Sequence, residues 1–421
     1  MMALLLAGLV LLLLAVRASV VVVLLTVGVF VHLVWGAGQV SYLVEDMWNT
    51  LAKPSILSIP MFILCGQVMS RGHISQHIVR AVSRLTKGIP GGLAITAVLS
   101  CAVFSAISGS SPVTLLSVGA VMYPALLANG YPKNFSLGVL TSSGTLGIII
   151  PPSIPLILFG IATQTSIVDL FLAGVGPGIL LTVALALYAW FANRHITNDG
   201  AAQQLTEVDL GNKSSMPALL IPVVLLGGIY SGLFSPTEAA AVALLYAILV
   251  EVGYYREIKL PDLFETGVET ARLLGAIFPI IAVAVSINLL MTSEQVPQSL
   301  VAWAQSLTQD RIVFLLVLTV LLLIVGCFVD ALSAILILAP MLVPVAAAYG
   351  IDPIHLGIIM VVNLEIGLLT PPMGLNLMVA STAFKEPIGK VIGSVLPFIA
   401  VLLACLIAIT FIPAISLFLI K

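Results

Sequence analysis

The chain has 421 residues, 60% of them hydrophobic and only 8% charged, whereas a soluble globular protein carries about 25% charged residues over its surface. A formal net charge of −2 with no basic block excludes a nucleic-acid-binding surface. Apolar runs at 2–16, 310–329 and 394–420 approach or exceed the roughly 20 residues that let a helix cross a bilayer, and none alternates with the two-residue period of a membrane barrel. The expected class is an all-α polytopic membrane protein.

In chain order, "MMALLLAGLVLLLLAV" has the apolarity of a signal peptide but no positive flank and no small-x-small cleavage site before the next run. Runs 2–16 and 18–34, divided by Arg17, are therefore expected to stay as a helical pair. The segment 53–70, "KPSILSIPMFILCGQVMS", holds Pro60 inside an apolar stretch and reads either as a kinked helix or as a re-entrant hairpin. Next come "FSAISGSSPVT" (104–114), a polar break inside an apolar run, and "VLTSSGTLGIIIPPSIPL" (139–156), which ends on Pro151-Pro152. Cys65, Cys101, Cys327 and Cys405 have neither metal nor redox spacing and read as small packing residues.

The polar stretch 193–217 falls at the midpoint, and beyond it the same landmarks return. Pro60 matches Pro279 at an offset of 219, and Pro124, Gly130 and Gly147 match Pro344, Gly350 and Gly367 at 220. Pro151-Pro152 matches Pro371-Pro372, also at 220. The segments 273–293, 326–334 and 363–374 thus repeat the first half's kinked segment and its two breaks. The expected organisation is a first repeat over 1–195, a linker at 196–215 and a second repeat over 216–421, a common construction of secondary transporters.

Irregular backbone survives in hydrocarbon only where protein or a cavity covers it. Proline frees the carbonyl four residues earlier, here at Gly147, Ile148, Gly367 and Leu368. Beside the oxygens of Ser142, Ser143, Thr145, Asn363 and Thr370, such carbonyls suit a hard cation; without the carboxylate cluster of a calcium site, sodium fits. The bland alternative is hydroxyls bonded to the preceding turn in helices merely kinked by proline. Asp330, in "LLLLIVGCFVDALSAILILAP", pairs by offset with Ser110 and reads either as a helix cap or as a contact to ion or substrate. Glu365 also lies in apolar surroundings, while Glu238 after "SPT" looks like a first-turn acid capped by Ser235.

The stretch "GGIYSGLFSPTEAAAVA" (227–243) closely resembles a signature of the large, DctM-type membrane subunit of tripartite ATP-independent periplasmic (TRAP) transporters. "IPMFILCGQVMSRGHIS" (59–75), "PGGLAITAVLSCAVFSAISGSS" (90–111) and "GLLTPPMGLNLMVAS" (367–381) agree, so the resemblance covers nearly the whole chain. It implies a bacterial or archaeal inner-membrane protein with inverted repeats, in which scaffold helices surround an elevator-type transport core. The core would hold two re-entrant hairpins, near 50–72 and 272–295, and discontinuous helices. It further implies sodium-driven uptake of an organic acid, a dicarboxylate or sialic-acid-like solute. The implied partners are a small four-helix membrane subunit and a periplasmic substrate-binding protein.

Carried over by position, the resemblance places one sodium ion at Ser105, Ser108, Gly109, Ser110, Ser143, Gly144 and Thr145. A second would lie at Gly326, Asp330, Asn363, Gly367, Thr370 and Pro371, and substrate at Ser108, Ser153, Ser166 and Asp330. Family members can carry a basic residue near the second hairpin tip, where this chain has "LMTSEQVP" with Ser293. The group that neutralises a substrate carboxylate is thereby left open.

The nearest rival is a stand-alone sodium/dicarboxylate or citrate symporter, against which the 227–243 signature stands. An intramembrane hydrolase would need an embedded Ser-His or Ser-Lys pair, and His32, His73, His77, His195 and His355 all read as satisfied histidines near polar segments or helix ends. A passive channel lacks a filter-like ring.

Overall fold

A computed structural model describes residues 2–16, 18–196 and 213–420; Arg17 and most of the expected linker, 197–212, lie outside the described residues. Every regular element among them is helical, and seven helices are long and apolar enough to cross a membrane, or up to eight if a bent pair counts as one.

The chain opens with α1 (Met2–Ala15), α2 (Val20–Val34) and α3 (Val40–Leu51). A single 3-10 turn, Pro54–Leu57, leads into α4 (Ser58–Arg71), and the two arms meet at a 62° bend. α5 (Ile74–Leu85) differs in kind. His77, Arg80 and Arg84 interrupt its apolar positions, so it presents an apolar stripe to the protein rather than an apolar surface all round. Then follow α6 (Gly92–Ser108), α7 (Ser111–Ala128), α8 (Lys133–Gly144), a 3-10 turn over Thr145–Ile148, α9 (Ile154–Thr163) and α10 (Ile167–Asn193).

The second half holds α11 (Met216–Tyr230), α12 (Pro236–Ile248, continued as a π-helix over Leu249–Tyr255), α13 (Leu260–Ser293) and α14 (Val296–Leu307). It continues through α15 (Arg311–Phe328), α16 (Ala331–Ala348), α17 (Pro353–Gly367), α18 (Leu375–Ala383), α19 (Ile388–Phe411) and a last turn, α20 (Ala414–Leu417). α7 and α16 begin and end 220 positions apart, and α8 and α17 begin 220 apart.

One expectation needs correction. The second kinked segment contains no reversal: α13 runs unbroken to Ser293, with Pro279 inside it. Proline deletes one helical hydrogen bond and can kink a helix, but reversal needs residues that tolerate turn geometry, and "AIFPIIAVA" has none near Pro279. The chain turns later, at Glu294 and Gln295, where Gln295 adopts φ +57°. In the first half the corresponding turn falls at Gly72-His73. Two-residue breaks at Gly109-Ser110 and Val329-Asp330 separate α6 from α7 and α15 from α16. They mark the polar breaks as helix–turn–helix units.

The turn between α4 and α5 is fastened from the other half of the chain. The fully buried Glu251, in the π-helical end of α12, accepts hydrogen bonds from the backbone N–H of His73 (3.2 Å) and Ile74 (2.8 Å). It thus satisfies orphan donors at the start of α5, as a capping side chain would from within the sequence. Glu238 caps α12 as expected, in a reciprocal capping box with Ser235. The Glu251 contact needs Gly72, because a Cβ there would lie 2.1 Å from the Glu251 carboxyl carbon. Gly72→Ala should therefore destabilise the purified protein by about 1–3 kcal/mol, the usual range for overpacking. An unchanged melting temperature would show that this turn is not held as described.

Candidate transport site between the two helix turns

The first turn is built by small residues. α6 ends at Ser108, Gly109 adopts φ +59°, and extended Ser110 starts α7. Ser108 Oγ lies 2.7 Å from Thr114 Oγ1, and Thr114 donates to the Ser110 carbonyl at 2.9 Å. The Ile154 N–H at the head of α9 donates to the Gly109 carbonyl, tying the second break to the first. Gly147 lies so close that a Cβ would stand 2.6 Å from the Ser110 oxygen. The predicted group Ser105, Ser108, Gly109, Ser110, Ser143, Gly144 and Thr145 is thus gathered around one turn and the break beside it.

The second turn repeats the scheme with different residues. Asp330 begins α16, and its Oδ2 accepts from the Ser333 N–H at 3.0 Å. Met373 donates its N–H to the Cys327 carbonyl at 3.1 Å, as Ile154 does to Gly109. Gly326 and Gly367 touch backbone to backbone; a Cβ on Gly367 would lie 2.5 Å from Gly326 Cα. Asn363 and Thr370 complete the predicted group on α17 and just beyond it, and Pro371-Pro372, like Pro151-Pro152, is a cis pair.

Between the turns lies a cavity of about 140 Å³. Gly109, Ser110 and Pro112 line it from the first turn, Asp330, Ala331 and Leu332 from the second, with Ile148, Ile154, Leu368 and Leu375 closing the sides. Ser110 and Asp330, equivalent by offset, share one cavity. Asp330 is exposed, and no cation among the described residues pairs with it. It is a helix cap that also lines the cavity, so both readings of it hold in geometry.

Several buried side-chain oxygens nearby have no hydrogen-bond partner: the hydroxyls of Ser105, Ser142 and Ser143, and Oδ1 of Asn363. Buried polar groups are rarely left unsatisfied, and oxygens of this kind are what a desolvated sodium ion needs. The carbonyls freed by proline are less available than the sequence implied. Ile148 accepts from the Ser153 hydroxyl, Gly367 from the Thr370 N–H and Leu368 from the Asn376 N–H. A carbonyl has a second lone pair, so the side chains carry more of the argument than these carbonyls.

The predicted substrate set comes apart. Ser108 and Asp330 stay at the turns, but the Ser153 hydroxyl is fully buried and engaged by the Ile148 carbonyl and the Leu156 N–H. Ser166 caps α10, accepting from the Asp169 N–H at 3.3 Å, at the far end of α9. Ten helical residues place it about 15 Å from the cavity. Asn376, which sequence reasoning passed over, is fully buried with Nδ2 2.5 Å from Ser111 Oγ and Oδ1 unpartnered. Its signal was an amide in an otherwise apolar stretch directly after Pro-Pro.

Glu365 has a defined partner as well. Thr145 Oγ1 lies 2.7 Å from Glu365 Oε1 and 2.6 Å from the Ser142 carbonyl. One hydroxyl hydrogen cannot serve two acceptors. The chain closes when the Glu365 carboxyl donates to Thr145 and Thr145 donates to Ser142.

A family model described as "Tripartite ATP-independent periplasmic transporter, DctM component" matches residues 7–415. This chain belongs to that family. It is 41% identical over 391 residues to the C4-dicarboxylate TRAP transporter large permease protein DctM of Pseudomonas aeruginosa, covering 93% of this chain and 92% of that protein. It is 37% identical to the isethionate TRAP transporter permease protein DctMQ of Oleidesulfovibrio alaskensis, covering 91% of this chain and 61% of that protein. The Ectoine/5-hydroxyectoine TRAP transporter large permease protein UehC of Ruegeria pomeroyi is 33% identical over 93% of this chain and 91% of its own length. Among solved structures, the YdaH transporter of Alcanivorax borkumensis shares the fold with a TM-score of 0.61 at 16% identity, covering 87% of this chain and 86% of that one. MtrF of Neisseria gonorrhoeae does so at 0.66 and 12%, covering 90% and 85%.

The protein is therefore a TRAP large permease, a multi-pass protein of the bacterial inner membrane that serves solute uptake with a substrate-binding protein. It is not an enzyme. Among the described residues three Ser-His contacts do occur, His77 with Ser215 at 3.4 Å, His355 with Ser416 at 3.3 Å and His32 with Ser286; in the last, Ser286 Oγ lies 3.2 Å from His32 Nε2 and donates to Asp46 at 2.7 Å. His32 Nδ1 is held by the Gly28 carbonyl, so no carboxylate orients the ring for nucleophilic chemistry.

Two outcomes are expected from this geometry. Gly367→Ala should abolish uptake and lower the melting temperature, since neither backbone at the Gly326 contact can yield a full ångström; wild-type uptake would remove this contact from the site. Glu365→Gln, which keeps a neutral donor, should melt near wild type, whereas Glu365→Leu should cost about 1–3 kcal/mol by removing the hydrogen bond that the Thr145 oxygen accepts. Equal melting of the two variants would contradict the hydrogen-bond chain.

Proposed function

We propose that this permease couples sodium entry to the uptake of an organic acid of the dicarboxylate class, released to it by a periplasmic binding protein. The observation that carries the reading is the meeting of two helix turns, Ser108–Ser111 and Val329–Asp330, at one cavity flanked by unpartnered buried oxygens. Sodium would sit in each half between turn and neighbouring break, held by Ser105 and Ser143 on one side and by Asn363 and Thr370 on the other. Two such places support a stoichiometry of at least two ions. Asp330, with no cation among the described residues paired to it, would attract the ion and keep its field at the cavity wall.

The halves would be inverted repeats, and the core around the cavity would move as an elevator against a scaffold that includes α1, α2, α11 and α12. A small four-helix membrane subunit would cover part of that scaffold. Two similarities favour an acidic solute: the Pseudomonas aeruginosa relative is named for C4-dicarboxylates and the Oleidesulfovibrio alaskensis relative for isethionate. The name of the latter, DctMQ, favours a second membrane component.

The test is uptake by proteoliposomes holding the permease, the small subunit and loaded binding protein. Succinate uptake should require an inward sodium gradient and stop when potassium replaces sodium; full uptake driven by protons alone would overturn the coupling. Asp330→Asn should keep the fold while raising the sodium concentration for half-maximal uptake about tenfold or more. An unchanged sodium response would remove Asp330 from the ion's surroundings. Uptake of free succinate by the permease alone would favour the stand-alone symporter.

A further inference from the structure

A second, larger cavity of about 640 Å³ opens where three helix ends converge, a volume within the range of small-molecule sites. One wall is the bend before α4, with Lys53 and Ser55; another is the end of α9 and start of α10, with Gln164 and Thr165. The third is the first turn of α12, from Ser235 to Glu238. Among the described residues the Lys53 side chain forms neither an ion pair nor a hydrogen bond, so its charge is available to a ligand. Gln164 holds φ +57°, an uncommon conformation for a residue other than glycine and one that recurs at ligand clamps. Gln164 lines the cavity beside Thr165, whose hydroxyl is bonded to that of Thr163 at 2.8 Å.

α9 links this cavity to the central one. Ile154 and Pro155 at its head line the cavity between the turns, while Gly160 and Ile161 near its tail line the larger one. From Pro155 to Gly160 the helix rises by about 8 Å. The single acid in the wall, Glu238, has Oε2 bonded to the N–H and hydroxyl of Ser235, both at 2.8 Å. Its charge is turned toward its own helix cap but still opposes an anion.

We propose that this cavity is a vestibular site for a small carboxylate, with Lys53 as its counter-charge and the Gln164 amide as hydrogen-bond donor. It would be distinct from the central cavity and lie at the other end of α9. The proposal deepens the organic-acid reading above and supplies the cationic group missing near Ser293. It predicts opposite effects from the two charged residues of one wall. Lys53→Met should weaken binding and Lys53→Arg preserve it, while Glu238→Gln, which still completes the capping box, should strengthen it.

The experiment follows alkylation of a Ser55→Cys variant by a maleimide in the detergent-solubilised permease with its small subunit. Of the native cysteines, Cys65, Cys101 and Cys405 are buried, and the unmodified protein supplies the background from Cys327. Succinate should slow labelling several-fold; the protection should vanish with Lys53→Met, persist with Lys53→Arg and need less succinate with Glu238→Gln. Labelling indifferent to succinate, or protection that survives Lys53→Met, overturns the vestibule whether or not succinate is transported. Protection without succinate uptake by the unmodified transporter instead overturns the transport reading alone.

Discussion

In a bilayer, every peptide group that leaves the helical ladder must find a partner inside the protein, because each one left unpaired costs several kcal/mol. This chain leaves the ladder at four places near its centre and satisfies the consequences by pairing the breaks with one another. The carbonyl of Gly109 receives the N–H that starts α9, and the carbonyl of Cys327 receives the N–H of Met373. Such exchanges require backbones within a few ångströms, which is why Gly147 meets Ser110 and Gly367 meets Gly326 with no room for a Cβ. Glycine and proline therefore act together here: one allows approach, and the other ends the helix where approach is needed.

The acids show how far surroundings, rather than residue type, decide a role. Glu238, Glu251, Asp330 and Glu365 all stand among apolar neighbours in the sequence. Glu238 folds back on its own cap, and Glu251 holds the start of α5 from another part of the chain. Glu365 is sealed against Thr145, and only Asp330 lines the cavity between the turns with its charge unopposed. A desolvated carboxylate without a partner is costly, so sealed acids are fixed parts of the protein and the open one is where an external cation gains most.

The periodic features were legible in the sequence. An offset held across prolines and glycines located both Pro-Pro turns and both polar breaks, since helix interruption depends on residue type at a single position. What a proline does to the path of the chain was not legible. Pro60 and Pro279 look alike in sequence, yet each leaves its helix continuous and the reversals fall elsewhere, at residues such as Gln295 whose positive φ no local pattern announced. Hydroxyl roles were also hidden. Ser110 and Ser153 have similar neighbours, but only the fold turns one toward a cavity and engages the other with Ile148.

A relation between the halves has a geometric consequence at the centre. If a two-fold rotation relates them, equivalent residues touch only where the axis passes. Two offset-matched pairs behave this way: Thr145 bonds Glu365, and Ser110 shares a cavity with Asp330. In each pair the first half supplies a hydroxyl and the second a carboxyl. Duplicated backbone thus provides matched turns, while the side chains of these two pairs make the site electrically one-sided. A symmetric site would hold a cation equally from either half, whereas here an ion near Asp330 experiences a field that the Ser110 side does not return. Under the proposed sodium coupling, that asymmetry would let the two structurally matched ion positions differ in affinity, and so fill and empty in order, without departing from the shared helical frame.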